Sequence, residues 1–470
     1  MRKAEFPGLV GQPENNAAQP LVPSKKSAGR FSFVLSGFLF KIALDIAYLT
    51  YLSDAYASHF LTAFQVNFSV LQYFESFLWL GAALLLVQFS SRTAGGIAFF
   101  AAIVFLLAPL ASMYGMDSER NRDTLSLAVV AIVVAHLVSR MVIKPRIKVS
   151  LVRNGEGYLV FIGGLLILMF LTIAASSGAL FQMNFDIDKV YEFRTELGAK
   201  VDIGPLAYSN LWAQKIFTPL LLALGLQRKS IWLVGLSLTL FVVYFGVTQH
   251  RSHLFAPVLV LGAYAIYRRG FTYAQGFILA SVAVFAVTIL VTAFEIESLG
   301  ALLIRRAFFV GASVACTWVE YFSENPKVFF ADNLLASIVQ NEYTDTNLPM
   351  FMGGYMNKGV EFGFNVGLVG AGYAQLGVFG VILYGAIIGA IVRINQRLID
   401  LGVPAYLQAA ILFLPYRTAW ADSDTLTTLL SHGLFVGTLA VWLFSSSNNK
   451  QVNSLSDGNS AEHRAVASGA

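Results

Sequence analysis

The chain has few charged residues and only one cysteine among its 470 residues. Charged side chains make up 13% of the sequence and hydrophobic ones 56%, with a mean hydropathy of +0.65. Soluble domains carry about 25% charged residues, so this composition excludes an ordinary soluble protein and indicates an all-α protein that crosses the membrane many times. The single cysteine, Cys316, excludes an intrachain disulfide.

Signatures of nucleotide and hydrolase chemistry are also missing. The sequence contains no Walker loop, G-x-S-x-G motif or Rossmann fingerprint. Two D-x-D patterns, at 186–188 and 422–424, match the way nucleotide-sugar enzymes hold a divalent cation, but both lie in predicted outer loops where nucleotide sugars are not supplied. We interpret them as chance matches. His250 and His253 lack a third metal ligand at a recognisable spacing, so no metal, cofactor or nucleic-acid partner is expected.

Apolar runs of about twenty residues, long enough to cross about 30 Å of hydrocarbon, define the predicted spans. The twelve runs cover residues 31–53, 68–89, 93–112, 124–143, 157–176, 205–225, 230–248, 252–269, 271–294, 364–392, 404–419 and 425–445. We therefore predict one transmembrane domain over residues 31–445. The polar segments 1–30 and 446–470 are predicted to be disordered cytoplasmic tails, and no cleavable signal peptide is expected.

Basic residues fall on alternate connections between these runs, which sets the predicted orientation. The clusters contain Lys25, Lys26, Arg30, Arg92, Arg140, Lys144, Arg146, Lys148, Arg153, Arg228, Lys229, Arg268, Arg269, Arg393 and Arg397. Because cytoplasmic loops carry the excess of Lys and Arg, both termini are expected in the cytoplasm. Two large loops, 177–204 and 295–363, are then expected on the outer side.

Residues 298–322 are apolar enough to form a further span, but Arg305 and Arg306 lie near the centre of this segment. Arginine in the hydrocarbon layer is costly in free energy, so we interpret the segment as a re-entrant or interfacial helix. A true span whose arginines line a cavity is the alternative.

Few ionisable residues lie inside the predicted spans. Lys41 and Asp45 are four residues apart and hence on one helix face, and Glu75 is available from the next span. We interpret Lys41 and Asp45 as a structural ion pair, with a substrate role as the alternative. Close helix packing is predicted by two pairs of glycines four residues apart: Gly363 with Gly367, and Gly385 with Gly389.

The outer loops carry more polar chemistry than the spans, and loops this long are more often functional than idle. Arginine suits phosphate, because its planar guanidinium donates two parallel charge-assisted hydrogen bonds. Converging arginines therefore indicate a phosphate or pyrophosphate headgroup, and loop charges paired with nearby carboxylates are the alternative. The outer set comprises Glu192, Arg194, Glu196, Lys200, His250, Arg251, His253, Arg305, Arg306, Glu320, Tyr321, Arg417, Asp422 and Asp424.

Three stretches carry a family resemblance. They are FRTELGAKVDIGPLAYSN in the first large loop, LLIRRAFFV at the start of the second, and FNVGLVGAGYAQLGVFGVILYGAIIGAIV after it. With the twelve predicted spans they resemble bacterial O-antigen polymerases of the Wzy type over nearly all of 31–445. Asn365, Tyr373, Gly377 and Gly380 match the family's recurrent Asn, Gly-Tyr and Leu-Gly-x-x-Gly-Val steps.

The spacing of arginine and glycine departs from the family pattern. Members have an Arg followed eleven residues later by Gly in each large loop. Here Arg194 lies ten residues before Gly204, and Arg306 meets Gly311 earlier still. Which arginines are equivalent to those of the family therefore stays open.

The resemblance implies a GT-C-like, multi-pass glycosyltransferase of the bacterial inner membrane with periplasmic loops. The implied reaction transfers a growing glycan from undecaprenyl pyrophosphate to the non-reducing end of an incoming lipid-linked repeat, in O-antigen or related exopolysaccharide synthesis. A single displacement would invert the anomeric configuration. Arginines would stabilise the leaving pyrophosphate without a metal, and a carboxylate or imidazole would accept the acceptor's proton.

The implied partners are the lipid-linked oligosaccharide, the bilayer and a chain-length regulator protein. The candidate substrate-binding residues are Arg194, Arg251, Arg305, Arg306, Asn365 and Tyr373. His253 or Glu192 is the favoured base, with Glu320 as a further candidate.

Two other functions stay open. An O-antigen ligase uses the same donor with a lipid A core acceptor, but ligases generally have a His-rich motif late in the large loop, and residues 295–363 contain no His. A flippase or transporter of lipid-linked sugars would have paired charges near mid-membrane and repeated halves. In this sequence the charges favour the outer loops, and we see no repeat.

Overall fold

A computed structural model describes residues 25–57, 64–87, 93–141, 154–186, 193, 199–201, 204, 206–250, 252–332, 338, 343, 347–356 and 362–444. These residues form helices and no β-strand, with one isolated bridge between Asn67 and Asp117. The helices are α1 (25–55), α2 (Val70–Leu86), α3 (Ala94–Met116), α4 (Asp123–Arg140), α5 (Gly155–Ser176), α6 (206–228), α7 (Ile231–Thr248), α8 (Ser252–Arg269), α9 (Tyr273–Phe294), α10 (Glu297–Glu324), α11 (Leu348–Met356), α12 (Leu368–Leu376), α13 (Val378–Asp400), α14 (405–422) and α15 (Thr425–Phe444).

Nine helices in the described part of the chain are long and apolar enough to cross a membrane: α1, α3, α4, α5, α7, α9, α10, α13 and α15. All except α10 coincide with predicted spans. The other four predicted spans are helical too, as α2, α6, α8 and α14, but they are shorter or carry more polar residues. The all-α, multi-pass membrane class is therefore confirmed, and the number of spans stays a prediction.

Contacts between helix ends define one face of the bundle, which we call the Arg393 face. The Ala94 N–H donates to Gln396 Oε1 at 2.9 Å, and the Tyr267 hydroxyl donates to the Thr93 carbonyl at 2.9 Å. The basic clusters near 268 and 393–397 thus lie at one end of the bundle, beside the start of α3. That this end faces the cytoplasm stays a prediction.

The opposite end, which we call the Asp422 face, is defined in the same way. The Asn67 N–H donates to the Met116 carbonyl at 3.1 Å, and the Tyr51 hydroxyl donates to the Glu297 carbonyl at 2.9 Å. The end of α1 and the starts of α2, α4 and α10 therefore meet at this face, together with the end of α14.

Helix α3 forms the centre of the bundle. In the most apolar 18-residue stretch of α3, 94% of the residues are buried inside the structure. The corresponding share is only 22% in α5 and 28% in α9. A helix that is apolar all round is stable only where every side is covered by apolar groups. Other helices cover α3, and α5 and α9 leave their apolar sides for lipid.

Helix α10 has both ends at the Asp422 face. Its start contacts α1 as described above, and its middle enters the bundle, where the Phe308 ring stacks on Phe105 with centroids 5.7 Å apart. Near its end, Glu320 interacts electrostatically with Arg120, in the loop after α3. These contacts favour the interfacial interpretation, although the 28 residues of α10 are long and apolar enough for a span.

The predicted span 364–392 is divided at Gly377. This residue has a φ of +62°, a conformation in which glycine lacks the steric penalty of other residues. A Cβ atom on Gly380 would lie 1.9 Å from the Gly372 carbonyl oxygen, so α12 and α13 meet at backbone contact after the turn. Helix α13, rather than the whole predicted segment, is the helix long enough to cross.

One of the two predicted glycine pairs is confirmed. Cβ atoms on Gly385 and Gly389 would lie 2.7 and 2.5 Å from α4 carbonyl oxygens, so these glycines allow α13 and α4 to touch. The prediction is wrong for Gly363 and Gly367, because residues 362–367 are not helical.

The predicted ion pair of Lys41 and Asp45 is present inside the bundle. Lys41 Nζ lies 2.8 Å from Asp45 Oδ2, and the side chains are 0% and 4% exposed. The Tyr73 hydroxyl donates to the same oxygen at 3.1 Å, and the Phe77 ring centroid lies 4.2 Å from the ammonium. Glu75 instead accepts hydrogen bonds from α3 and from its own helix.

Candidate functional site

A bend between α14 and α15 positions most of the polar groups at the Asp422 face. The last turn of α14, Thr418–Asp422, is π-helical, and Ser423 is extended, with φ −150° and ψ 151°. Asp424 then caps α15, because its Oδ2 accepts a hydrogen bond from the Thr427 N–H at 2.9 Å. Short π-helical turns occur frequently at functional sites, which makes this bend the first place to look for one.

Two glycines allow the bend to be packed on both sides. A Cβ atom on Gly311 of α10 would lie 2.7 Å from the Ala421 carbonyl oxygen, and one on Gly367 would lie 2.2 Å from the Trp420 carbonyl oxygen. Any side chain at either position would push the bend away. Gly367, the residue before α12, is therefore explained by close backbone approach.

Four basic side chains on one side of the bend form what we call the cationic cluster: Lys215, His253, Arg417 and His432. Arg417 forms an ion pair with Asp422, and Lys215 Nζ lies 2.9 Å from His432 Nδ1. Lys215 also interacts electrostatically with Arg417, Asp422 and the buried His253. The predicted base His253 thus lies among cations, and the cluster is suited to an anionic group.

On the other side, Asp332, Gln375, Tyr384 and Asp424 form what we call the acidic cluster. Gln375 Nε2 donates to Asp332 Oδ1 at 3.0 Å, and the fully buried Tyr384 interacts electrostatically with both carboxylates. Burial raises the pKa of Asp332, which the hydrogen bond from Gln375 opposes and the nearby Asp424 reinforces. A carboxylate with a raised pKa can exchange protons closer to neutral pH.

The predicted arginines Arg305 and Arg306 lie in a second π-helical segment, Ala301–Phe309. Both are half-buried, and the Arg305 guanidinium carbon lies 4.3 Å from the centroid of the Tyr56 ring. This is a cation–π contact. The contact with Tyr56 places Arg305 near the end of α1, at the Asp422 face; that this face is a membrane interface stays a prediction.

Phe105 links these arginines to the cationic cluster. The Arg417 guanidinium carbon lies 5.0 Å from the centroid of this ring. Phe308, two residues after Arg306, stacks on the same ring. Arg417 and Phe308 therefore contact the same aromatic side chain of the central helix.

The predicted base Glu320 lies in a different place. Its side chain is exposed and interacts electrostatically with Arg120 and Asp117, and Arg120 Nε lies 3.3 Å from Asp117 Oδ2. Glu320 thus belongs to a charged group with Arg120 and Asp117 on the loop after α3, separate from the two clusters at the bend.

The two remaining predicted residues flank the bend. Asn365 is exposed in the segment before α12, whereas Tyr373 is half-buried within α12. Lys327 Nζ lies 4.3 Å from the Tyr373 ring centroid, and burial lowers the pKa of Lys327. Tyr373 therefore helps to hold the segment that leads to Asp332.

Several predictions fall outside the described residues. Glu192, Arg194 and Arg251 lie there, as do Glu196, most of the second large loop after residue 332, and the tails 1–24 and 445–470. Their predicted roles stay predictions.

Sequence reasoning missed important members of the site. Lys215 was given no role from the sequence, although it contacts His432. Residues 422–424 were interpreted as a chance match to a metal motif; in the structure Asp422 pairs with Arg417 and Asp424 caps α15. Among the described residues, no group of three or more metal-ligating side chains occurs. Asp332, Gln375, Tyr384 and His432 had no local signal.

Comparison with protein-family models, curated proteins and solved structures gave no match to this chain.

Proposed function

We propose that the chain is a membrane glycosyltransferase that polymerises lipid-linked oligosaccharide repeats. It transfers the growing glycan from undecaprenyl pyrophosphate to the non-reducing end of an incoming repeat. The observation that supports this proposal is the cationic cluster at one end of an apolar helix bundle. A lipid pyrophosphate combines a long apolar tail with a compact anion at the interface. The apolar helices suit the tail, and the cationic cluster suits the anion.

Donor binding depends on cations that contact the pyrophosphate. Arg417 and Lys215 take this role in the cationic cluster, because a guanidinium donates two parallel hydrogen bonds and an ammonium adds charge. Arg305 lies over the Tyr56 ring, and Arg306 interacts electrostatically with the same tyrosine. We take Arg306 as the candidate for a further phosphate contact. Successive helical residues point in different directions, so the two adjacent arginines do not grip one phosphate from the same side.

Catalysis follows from where charge develops. The bond from the anomeric carbon to the pyrophosphate oxygen breaks, and negative charge grows on the leaving group. Cations held in place before the reaction stabilise that charge without reorganising, which lowers the barrier. Attack from the opposite side in a single displacement inverts the anomeric configuration.

The function is tested by the lipopolysaccharide ladder of a deletion strain on a gel. Loss of the polymerase leaves lipopolysaccharide that carries a single repeat, and the full ladder returns when the gene is supplied in trans. Complete loss of O-antigen would instead indicate a ligase or a flippase, and an unchanged ladder would contradict any role in this pathway.

The donor site is tested by substitutions that keep the charge. Arg306→Lys should give mainly single-repeat lipopolysaccharide, because lysine loses the bidentate contact. Arg305→Lys should retain the ladder, since an ammonium can still lie over Tyr56. Arg397→Lys at the Arg393 face is the control, and protein levels are compared. Full ladders from Arg305→Ala and Arg306→Ala would show that neither arginine is required.

A further inference from the structure

Four polar atoms at the bend complete no well-aligned hydrogen bond among the residues that the structure describes. They are the Tyr384 hydroxyl, Trp420 Nε1, Asp424 Oδ1 and Thr425 Oγ1. Tyr384, Trp420 and Thr425 are fully buried. Buried polar groups are nearly always satisfied by protein, water or ligand, so this concentration of unsatisfied atoms indicates a polar ligand site beside Asp424.

The carboxylate opposite Asp424 is held by a strained segment. Phe329 and Phe330 have φ values of +52° and +62°, and two successive non-glycine residues in this region are uncommon and strained. The N–H groups of Val328 and Phe329 donate to carbonyls at the end of α12 at 2.9 and 3.1 Å. These bonds fix the segment and so the position of Asp332.

The groups of the acidic cluster suit a sugar hydroxyl. A carboxylate accepts a hydrogen bond from a hydroxyl, and a phenol can donate to its oxygen or accept from it. The Tyr384 hydroxyl interacts with Asp332 and lies close to hydrogen-bonding distance of Asp424, but it completes a well-aligned hydrogen bond with neither carboxylate. A sugar hydroxyl placed between them would complete the hydrogen bonds of Tyr384 and Asp424 and would also contact Asp332.

We propose that the acidic cluster binds the acceptor sugar, with Asp332 as the general base and with Tyr384 and Asp424 as positioning residues. This assignment rests on the glycosyl transfer proposed above. The acceptor oxygen attacks the anomeric carbon of the donor glycan, and its proton passes to the Asp332 carboxylate. The bond to pyrophosphate breaks, and its electron pair stays on the leaving undecaprenyl pyrophosphate. The cationic cluster on the other side of the bend receives that charge.

Asp332 suits the role better than Asp424 for two reasons. One carboxylate oxygen of Asp424 is committed to capping α15, whereas the pKa of Asp332 is raised by burial and by Asp424. Tyr384 and Asp424 are the titratable side chains that face Asp332 within the described residues. Only the ionised carboxylate accepts a proton, so turnover falls as the pH drops through this raised pKa.

The test uses the full chain in nanodiscs and undecaprenyl-pyrophosphate-linked repeats extracted from the host, with elongation measured at several pH values. Asp332→Asn should lower turnover about 100-fold or more, the usual contribution of a general base, and should abolish the rise of rate with pH. Asp332→Glu, which keeps a carboxylate, should restore part of the rate. Tyr384→Phe should raise the repeat concentration needed for half-maximal rate. Asp54→Asn, at an exposed position on the same face, is the control.

The outcomes separate this assignment from the proposed function. If wild type elongates repeats and well-folded Asp332→Asn elongates them at the same rate, Asp332 is not the base, and the proposed function stands. If wild type does not elongate repeats, the proposed glycosyl transfer is wrong, and the assignment of Asp332 as its base is wrong as well. Thermal unfolding of each variant in the same nanodiscs identifies those that have lost their fold.

Discussion

Removing the positive charge of Lys41 should destabilise the bundle severely, whereas removing both members of its ion pair should not. Lys41 and Asp45 lie 2.8 Å apart, and both side chains are almost fully buried. In Lys41→Met the apolar stem is kept and the ammonium is lost. Asp45 then stays as a buried carboxylate that accepts a hydrogen bond from the Tyr73 hydroxyl.

The expected magnitude follows from the cost of an uncompensated buried charge. Breaking a buried ion pair by removing one partner costs about 3–5 kcal/mol, whereas replacing both partners by apolar residues is often neutral or stabilising. We therefore expect Lys41→Met and Asp45→Leu each to lose about 3–5 kcal/mol of unfolding free energy. The double variant should lose about 2 kcal/mol or less, with the Tyr73 hydroxyl left without its acceptor.

The assay is unfolding of the purified protein by SDS in mixed micelles, read as a double-mutant cycle. A reversible transition for wild type is the precondition, and Asp54→Asn serves as the exposed control. If the loss of unfolding free energy in the double variant equals the sum of the two single losses within about 0.5 kcal/mol, the two side chains are not coupled. A loss below about 1 kcal/mol for Lys41→Met would show that the site is solvated.

Three further predictions address packing, orientation and metal dependence. Gly367→Ala should destabilise the protein by about 1–3 kcal/mol, because the new methyl would lie 2.2 Å from the Trp420 carbonyl oxygen. Gly164→Ala has open space at its Cβ and should be neutral. Thermal unfolding measures both variants. Reporter fusions near residue 150 should read cytoplasmic and those near 340 periplasmic, and the reverse would overturn the assigned sides. Elongation by the purified protein should persist in chelator, because cations of the protein stabilise the leaving group; activity that returns only with Mg²⁺ or Mn²⁺ would refute this.

The fold was largely predictable because each span carries its own signal. An apolar run such as 157–176 or 271–294 is long enough to cross the bilayer whatever its neighbours do, and both are helices here. The helix boundaries within the apolar run 364–392 were less predictable. Gly377 divides that apolar run through its backbone conformation, and hydropathy does not respond to backbone conformation.

The members of the candidate site were only partly predictable. Basic residues at the outer end of the bundle were expected; Arg305 lies over Tyr56 and Arg417 lies over Phe105, and that this end is the outer one stays a prediction. The contact between Lys215 and His432 joins residues 217 positions apart, so no local pattern reveals it. Asp332 reaches the bend only because its segment docks on α12. Such contacts depend on tertiary packing, which a single sequence does not encode locally.

The π-helical turn Thr418–Asp422 makes α14 tolerant of a shorter chain at one point. A π-helical turn holds about one residue more than an α-helical turn, and each closes about one full turn. Deleting one residue within 419–421 would therefore leave a continuous α-helix whose two parts keep nearly the same rotation about the axis, so Arg417 and Asp422 would still face each other. A one-residue deletion in the α-helical part of α14, at Ala410, would instead rotate the residues on either side by about 100° relative to each other. The deletion at Ala410 should therefore abolish the site, whereas the deletion within the π-helical turn should retain it.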